Sequence, residues 1–444
     1  MYTRVTEQFE SALSKWIGPI ANTEWGGFVM TNITAVGIDV SKGRSTVAVM
    51  RPGGEIVTSP HNVSHSDEEL HRLAQSLKLI DGEVRIVMEH TGTYYLPVAT
   101  VLSEAGLYVS VVHAKLIHDF GNNSIRRGKS DPKDAIKIAN YALVNWASLT
   151  KFHKQEGVRQ ELKALNRQQH LYTKTETALK CNLISLLDQV FPGINKVFPP
   201  VQRINGHEKW VDFVLRFWHR DCVCLLSRDA FADRYRKWCK RTGSQWSARK
   251  ADEIYDHARA QVTTMPKNNT TKLMVKQAAS QLNSILETVN TIQTEMNRLA
   301  SLLPEYETVM SMPGMGKVLG PQIIAEIGDV TRFHGKRALT AFAGLDAPPY
   351  QSGQFELRER RISKRGTPHL RRSLFLAMSM LLINQPEADE VYRFICKKRA
   401  EGKHYYVYMT AASNKFLRRY YGRVRDCLLA FNNTITPSDT SPAA

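Results

Sequence analysis

Three short β-branched runs stand beside one another before any helical pattern begins, and that order limits the fold more than any other feature. TAVGIDVS (34–41) and STVAVMRP (45–52) are joined by a turn around Lys42-Gly43, and GGEIVTS (53–59) follows. Adjacent strands separated only by turn signals predict an antiparallel meander. SDEELHRLAQSLKL then carries a capping box, Ser66 with Glu69, and apolar Leu70, Leu73 and Leu77 at helical spacing. Strand VRIVMEH, helix YYLPVATVLSEAG, strand YVSVVHA and helical IRRGKSDPKDAIKIANYALVN complete the segment.

The order βββαβαβα is that of an RNase H-like fold, and an α/β domain of this kind carries its site at strand C-termini and adjoining helix starts. Beyond it, residues 156–190 predict one long helix ending at Phe-Pro-Gly, with an apolar stripe of Leu179, Leu183, Leu186 and Val190. Residues 195–265 are basic and hold Trp210, Trp218, Trp238 and Trp246. Such aromatics stack on unpaired bases or fill a small helical core, and the high mean burial of Trp favours the core. From Val275 through Ala278, Leu282, Ile285, Val289, Ile292, Met296, Leu299 to Leu303 the apolar spacing alternates 3 and 4. That is an a/d seam, predicting a coiled coil within the chain or between subunits.

Two features of the last third suit phosphate. Pro313-Gly314-Met315-Gly316-Lys317 before an apolar helix reads as a helix-hairpin-helix turn, presenting backbone N–H groups and a lysine. It lacks the Gly-x4-Gly-Lys-Ser/Thr spacing of a P-loop. A Pro-Pro-Tyr-Gln-Ser-Gly loop then leads into a run of Arg358, Arg360, Arg361, Lys364, Arg365, Arg371 and Arg372.

Charge points the same way. Sixty Lys and Arg against 42 Asp and Glu give a net +18, which favours a polyanionic partner. Without an apolar run of 18 residues or a basic amphipathic helix, nucleic acid is expected rather than a membrane. The six cysteines, Cys181, Cys222, Cys224, Cys239, Cys396 and Cys427, include no CxxC pair, so buried free thiols in a reducing cytoplasm are expected. The first residues lack a signal peptide's apolar core, and Met30, just before the first strand, is an alternative start.

Four carboxylates carry the chemistry. Asp39 ends the first strand, with Ile38 and Val40 on the opposite face, and Glu89 ends the fourth, before Gly92. Asp131 and Asp134 open the helix of KSDPKDAIKIA. Locally they read as an N-cap and a capping-box acid, with Pro132 at the first helical position. Residues three apart share a helix face, however, so both could point at one ion. Four neighbouring carboxylates suit hard divalent cations, Mg²⁺ or Mn²⁺, and two such ions about 4 Å apart support phosphodiester transfer.

GIDVSK, Glu89-His90-Thr91-Gly92 and Lys-x-Asp-x-x-Asp-Ala (129–135), with PGMG, IGD, GL-x-x-P and ISKRG-x-x-x-LR, resemble the IS110/IS1111 transposase family. The resemblance spans roughly 33–190 and 305–385. It implies a RuvC-like DEDD domain with Asp39, Glu89, Asp131 and Asp134 as the acidic tetrad binding two Mg²⁺ or Mn²⁺ ions. It also implies a C-terminal serine nucleophile, matched by Ser352, four after Pro348 and ten before Ile362. Members of the family use a structured noncoding bridge RNA to pair donor and target DNA. They act as homo-oligomers in which the RuvC-like domain of one subunit meets the serine domain of another, and a dimer or tetramer joined through the coiled coil would suit that.

The expected organisation is an extension (1–31), an α/β RNase H-like, RuvC-like domain (32–150), and a helical linker with basic insert and coiled coil (151–304). A mainly α transposase domain with the helix-hairpin-helix-like element (305–430) and a disordered tail (431–444) follow. Expected nucleic-acid contacts are Lys115, Arg126, Arg127, Lys129, Gly314, Gly316, Lys317 and the arginine-lysine run. The expected function is a prokaryotic, nucleoid-associated recombinase forming a phosphoserine. The alternatives are a junction endonuclease using water, which needs no Ser352, and a non-catalytic RNA- and DNA-binding protein.

Overall fold

The computed structural model describes residues 32–90, 92–120, 130–152, 157–199, 206–349, 351–352, 355–356 and 360–435. The expected extension (1–31) therefore lies outside the described residues, as does the tail beyond 435. The chain divides into two compact units, Met1–Lys154 and Gln155–Ala444.

The first unit is built on five strands: β1 (Ile33–Val40), β2 (Arg44–Arg51), β3 (Glu55–Ser64), β4 (Glu83–Glu89) and β5 (Tyr108–Val112). Their order across the sheet is β3-β2-β1-β4-β5. The β1–β2 and β2–β3 pairs are antiparallel, whereas β1–β4 and β4–β5 are parallel. This is the RNase H-like topology. The meander arises because short turns link the first three strands, and the parallel pairs because helices α1 (Asp67–Lys78) and α2 (Tyr95–Glu104) cross between the later ones. Helix α1 is capped as its sequence predicts, Ser66 Oγ accepting from Glu69 N at 3.4 Å, but the reciprocal bond differs. Glu69 Oε2 accepts from Ser64 N at 2.5 Å, two residues upstream of the expected partner.

Alternation splits the sheet's side chains between two cores. Val36, Ile38, Ile86 and Met88 pack under α1 and α2. Ala35, Met50 and Val87 pack on the other face with Ile117 of α3 (Ala114–Phe120) and Ile138, Ala139 and Ala142 of α4 (Asp131–Val144). Gly37 sets the height of α4 above the sheet. A Cβ there would fall on the backbone atoms Ala135 O and Ala139 N and within 2.9 Å of Ala139 Cβ. Gly37→Val should thus force α4 away from β1. Its expected cost is about 1–3 kcal/mol or more, read as a lower urea midpoint for unfolding of the N-terminal unit.

The second unit is helical. It opens with α5 (Gly157–Val190), followed by α6 (Ile194–Val197), α7 (Lys209–Arg216), α8 (Asp221–Cys224), α9 (Arg228–Arg241), α10 (Ala248–Ala260) and α11 (Asn269–Ser301). It continues through α12 (Tyr306–Met310), α13 (Leu319–Ile327), α14 (Lys336–Phe342), a small hairpin of β6 (Gln351–Ser352) and β7 (Phe355–Glu356), α15 (Pro368–Asn384), α16 (Glu390–Ala400) and α17 (Tyr405–Ile435). The last helix thus passes the expected boundary at 430.

Helices α5 and α11 pack on each other along their length. The C-terminal half of α5 (Leu183, Leu187, Val190) meets the N-terminal half of α11 (Val275, Ala279, Leu282, Leu286) in one core. Leu162 near the start of α5 joins Met296, Leu299 and Ala300 at the end of α11 in another. The pair is therefore antiparallel and intramolecular, and the seam expected to join subunits is filled from within the chain. Leu187, rather than the expected Leu186, takes the fully buried place on α5.

The basic segment forms a helical core, as the burial of tryptophan suggested. Trp210, Trp218 and Trp238 are buried with Phe213, Phe231 and Tyr235. Trp246 is half-buried, with the Arg236 guanidinium 4.1 Å above its ring. All six cysteines are free, but only Cys239 is buried as expected; Cys222, Cys224, Cys396 and Cys427 are half-buried and Cys181 is exposed. Among the described residues no helix is long and apolar enough to cross a membrane.

Candidate active site

The register of β1 and β4 brings the first two carboxylates together. Ile38 is paired with Met88 in parallel, so the next residues, Asp39 and Glu89, stand side by side about 4.8 Å apart along the hydrogen-bonding direction. Both are half-buried. Because Ile38 and Met88 enter the core beneath α1 and α2, alternation turns Asp39 and Glu89 to the face covered by α4. Beyond Glu89 the chain turns: His90 N donates to Val112 O at 2.8 Å, the His90 and Tyr95 rings stand 4.9 Å apart, and Gly92 has φ +53°.

Helix α4 brings the other two. Ala35 and Met50, at one end of the β1–β2 pair, pack with its later residues Ile138, Ala139 and Ala142. Gly37 meets Ala135 and Ala139, so α4 runs antiparallel to β1. Asp39 lies about 6.6 Å beyond Gly37 along the strand, and Asp131 lies about 6 Å before Ala135 along the helix. The first turn of α4 therefore lies over the ends of β1 and β4.

The helix start differs from its local reading. Ser130, not Asp131, takes the extended N-cap conformation, without a side-chain cap bond. Asp131 is the first helical residue, Pro132 the second, and Asp134 N donates to Ser130 O at 3.0 Å. Neither aspartate is used as the cap. Their carboxylates suit the positive end of the helix dipole and share the sheet end with Asp39 and Glu89.

Four carboxylates are a donor set that fits a hard divalent cation. Among the described residues, however, no group of three or more His, Cys, Asp or Glu side chains is gathered closely enough to hold one. The backbone brings the tetrad to one face and one end of the sheet; it does not close it into a cage.

Lys115 follows β5 on α3 at the same end of the sheet, with its ammonium 3.2 Å from Asp119. Arg126, Arg127 and Lys129 lie outside the described residues.

In the second unit, Ser352 is the last residue of β6, paired with Phe355 across a two-residue connection. It therefore stands at the tip of a hairpin. The base of that loop is fixed where the chain returns: Ser363 N donates to Asp346 O (2.7 Å), Ser363 Oγ to Asp346 Oδ1 (2.5 Å), and Lys364 N to Gly344 O (3.1 Å). Gly344, at φ +64°, and Gly366 lie back to back, so a Cβ on either would strike the other's backbone. Arg371 donates to Ala343 O (2.9 Å) and Gly366 O (3.0 Å). This residue, one of the expected nucleic-acid contacts, clamps the loop's base. Arg360, Arg361, Lys364, Arg365 and Arg372 are exposed; Arg358 lies outside the described residues.

The helix-hairpin-helix-like element is α12, a turn and α13. Gly314, at φ +84°, has Ala377 O and Leu381 of α15 at 3.0–3.2 Å from its missing Cβ, so packing explains it. Gly316 faces open space, and it and Lys317 are exposed.

Sequence reasoning missed the residues around Glu326, a buried acid of α13 in the IGD motif's segment. It accepts from Asn166 Nδ2 (2.7 Å), Arg167 (2.9 Å) and the Thr367 hydroxyl (2.8 Å). Beside it His170, Lys174, His369 and Arg372 line a cleft. Of these only Arg372 was expected from its basic run; no local motif marks the other three, because α5 and α15 are some 200 residues apart.

Comparison with known proteins agrees with these motifs. A model of DEDD transposases of the IS110 type matches residues 36–192, and one of the Transposase IS116/IS110/IS902 family matches 306–393. The "Insertion element IS110 uncharacterized 43.6 kDa protein" of Streptomyces coelicolor is 23% identical over 376 residues, 83% of this chain and 88% of that one. The "Transposase for insertion sequence element IS1111A" of Coxiella burnetii is 33% identical over 96 residues, 22% of this chain and 26% of that one. Thermus thermophilus RuvC overlaps 27% of this chain and 98% of its own at 16% identity and a TM-score of 0.22. The chain belongs to the IS110 family of insertion-sequence transposases.

Proposed function

We propose that this protein cuts and rejoins DNA through a phosphoserine intermediate, with Asp39, Glu89, Asp131 and Asp134 as metal ligands and Ser352 as nucleophile. One observation carries the reading: the paired strand ends of Asp39 and Glu89 lie under the first turn of α4, which holds Asp131 and Asp134. Held by that tetrad, Mg²⁺ or Mn²⁺ ions would neutralise charge on the scissile phosphate and lower the pKa of a coordinated hydroxyl or water.

The chain's own groups then account for the transfer. The Ser352 hydroxyl attacks phosphorus, its proton passing to a carboxylate, and an Oγ–P bond replaces one ester bond of the DNA. The displaced deoxyribose oxygen takes up a proton. A deoxyribose hydroxyl of the second strand attacks the phosphoserine, reforming a phosphodiester and returning the serine. Nothing is oxidised or reduced, and one ester is exchanged for another at each step. Exposed Arg360, Arg361, Lys364 and Arg365, directly after the hairpin, supply positive charge for the phosphate.

Partner choice follows the family resemblance: donor and target DNA, a structured noncoding RNA from the element as guide, and a dimer or tetramer. Since the α11 seam is filled by α5, assembly uses other surfaces. The proposed place of action is the nucleoid of a prokaryotic cell. The test mixes protein, element ends, target DNA and the flanking transcript in Mg²⁺ and reads recombinant junctions by sequencing. Junctions are expected only with the transcript present, and ribonuclease added beforehand should remove them. Equal yield without RNA would sink the guide.

A further inference from the structure

We propose that the cleft between α5 and the start of α15 binds a phosphate group of a nucleic-acid backbone, held by Lys174, Arg372 and the imidazoles of His170 and His369. The cleft has a volume of about 360 Å³ and is lined by His170, Lys174, Pro368, His369 and Arg372. No acid lines it, and neither Lys174 nor Arg372 has a carboxylate partner among the described residues. Glu326, the nearby acid, is 1% exposed and turned to Asn166, Arg167 and Thr367. Its charge is thus answered elsewhere, leaving the cleft positive.

A second observation is the start of α15. Its N-cap Thr367 gives its hydroxyl to Glu326, so the helix begins without a side-chain cap and without an acid in its first turn. Pro368 at the first helical position has no N–H and Thr367 N donates to Phe342 O, so of this 17-residue helix the amides of His369 and Leu370, with the positive end of its dipole, are left for an anion.

A third lies in the histidines. Arg372 donates to His170 Nδ1 at 2.8 Å, and the His170 and His369 rings meet edge to face at 4.5 Å. His369 Nδ1 is buried without a hydrogen-bond partner among the described residues. Burial, then neighbouring cations, holds both imidazoles below the ordinary histidine range; Arg372, Lys174 and Arg167 act on His170, and Arg167 and Lys174 on His369, with Glu326 opposing. An anion in the cleft reverses that bias, raising both pKa values, so its affinity rises as pH falls through the histidine range.

The proposal rests on the reading of this chain as a nucleic-acid enzyme, but its test does not depend on catalysis. Fluorescent DNA duplex and RNA of equal length are titrated with the full chain in EDTA at several salt concentrations. The double variant Lys174→Gln/Arg372→Gln, changed only at exposed positions, is expected to bind about tenfold more weakly. Its log–log salt slope should be shallower by about one to two. Unchanged affinity and slope, with unchanged circular dichroism, overturn the proposal.

Histidine NMR with inorganic phosphate supplies the second arm. In the wild type phosphate should raise the pKa of His170 and His369, and in the double variant it should not. A response to inorganic phosphate without any effect of the variant on DNA or RNA affinity means a site for free phosphate, and overturns the backbone assignment. Silence of both imidazoles overturns the site outright. If the wild type binds neither DNA nor RNA, the functional reading fails, and the phosphate arm alone decides whether the cleft holds an anion.

Discussion

Asp131→Ala protein is expected to fold as the wild type does and to yield neither cut nor joined DNA in Mg²⁺. Two roles for this side chain predict very different magnitudes. As an acid in the first turn of α4 it favours the helix dipole, and losing it costs about 0.3–1 kcal/mol. Ser130 rather than Asp131 occupies the N-cap position, so no capping bond adds to that cost. As a metal ligand it is far more consequential. Even groups that only support metal ligands are worth about 10–100-fold when removed, so an activity loss of at least about 100-fold is expected. Asp67→Ala separates the two, because Asp67 is likewise an exposed acid in the first turn of its helix, α1. That variant should lose the same small stability and keep full activity. Asp131→Ala protein with activity within a few-fold of wild type would return Asp131 to a helix-start residue.

The strands and helices of the first unit were legible because their apolar periods differ and turns separate them. Asp39 and Glu89 were legible for a related reason: an acid at the end of an apolar strand has no burial to explain it. That β1 and β4 are neighbours followed from the RNase H-like order, but the residue register that sets Asp39 beside Glu89, Ile38 opposite Met88, did not. Nor could sequence alone show that Gly37 seats α4, because the contact spans about a hundred residues. The a/d seam of α11 was plain, but periodicity says only that a face is buried, not which helix buries it. The arginine-rich run looked uniform in sequence, whereas the loop's base takes Arg371 for its own carbonyls and leaves Arg372 facing the cleft. Glycines show the same limit. PGMG read as a phosphate-binding turn and GL-x-x-P as a mark of family resemblance, yet Gly314 and Gly344 are also required by close packing and left-handed backbone.

Ser352→Ala protein is expected to lose the covalent protein–DNA adduct altogether, and with it recombinant product, by at least about 1,000-fold. Loss of a nucleophile with no substitute removes the entire covalent route. The fold has little reason to object. Ser352 ends a two-residue strand at the tip of a hairpin, and hydrogen bonds at Asp346, Ser363 and Gly344 fix the base of its loop. Substitution at such a tip changes stability by about 0.5 kcal/mol or less. The adduct is read as a DNA-linked band on a denaturing gel that a protease removes, and it should need both Ser352 and the tetrad. A water nucleophile gives a different pattern: cleaved DNA persists in Ser352→Ala, no adduct forms in the wild type, and only the Asp131→Ala variant is inactive. That outcome would leave the carboxylates as the cutting centre and reduce Ser352 to a turn residue. Adduct and product lost together on changing one exchangeable hydroxyl, with the melting temperature unmoved, is a result that a structural role for the hairpin tip does not produce.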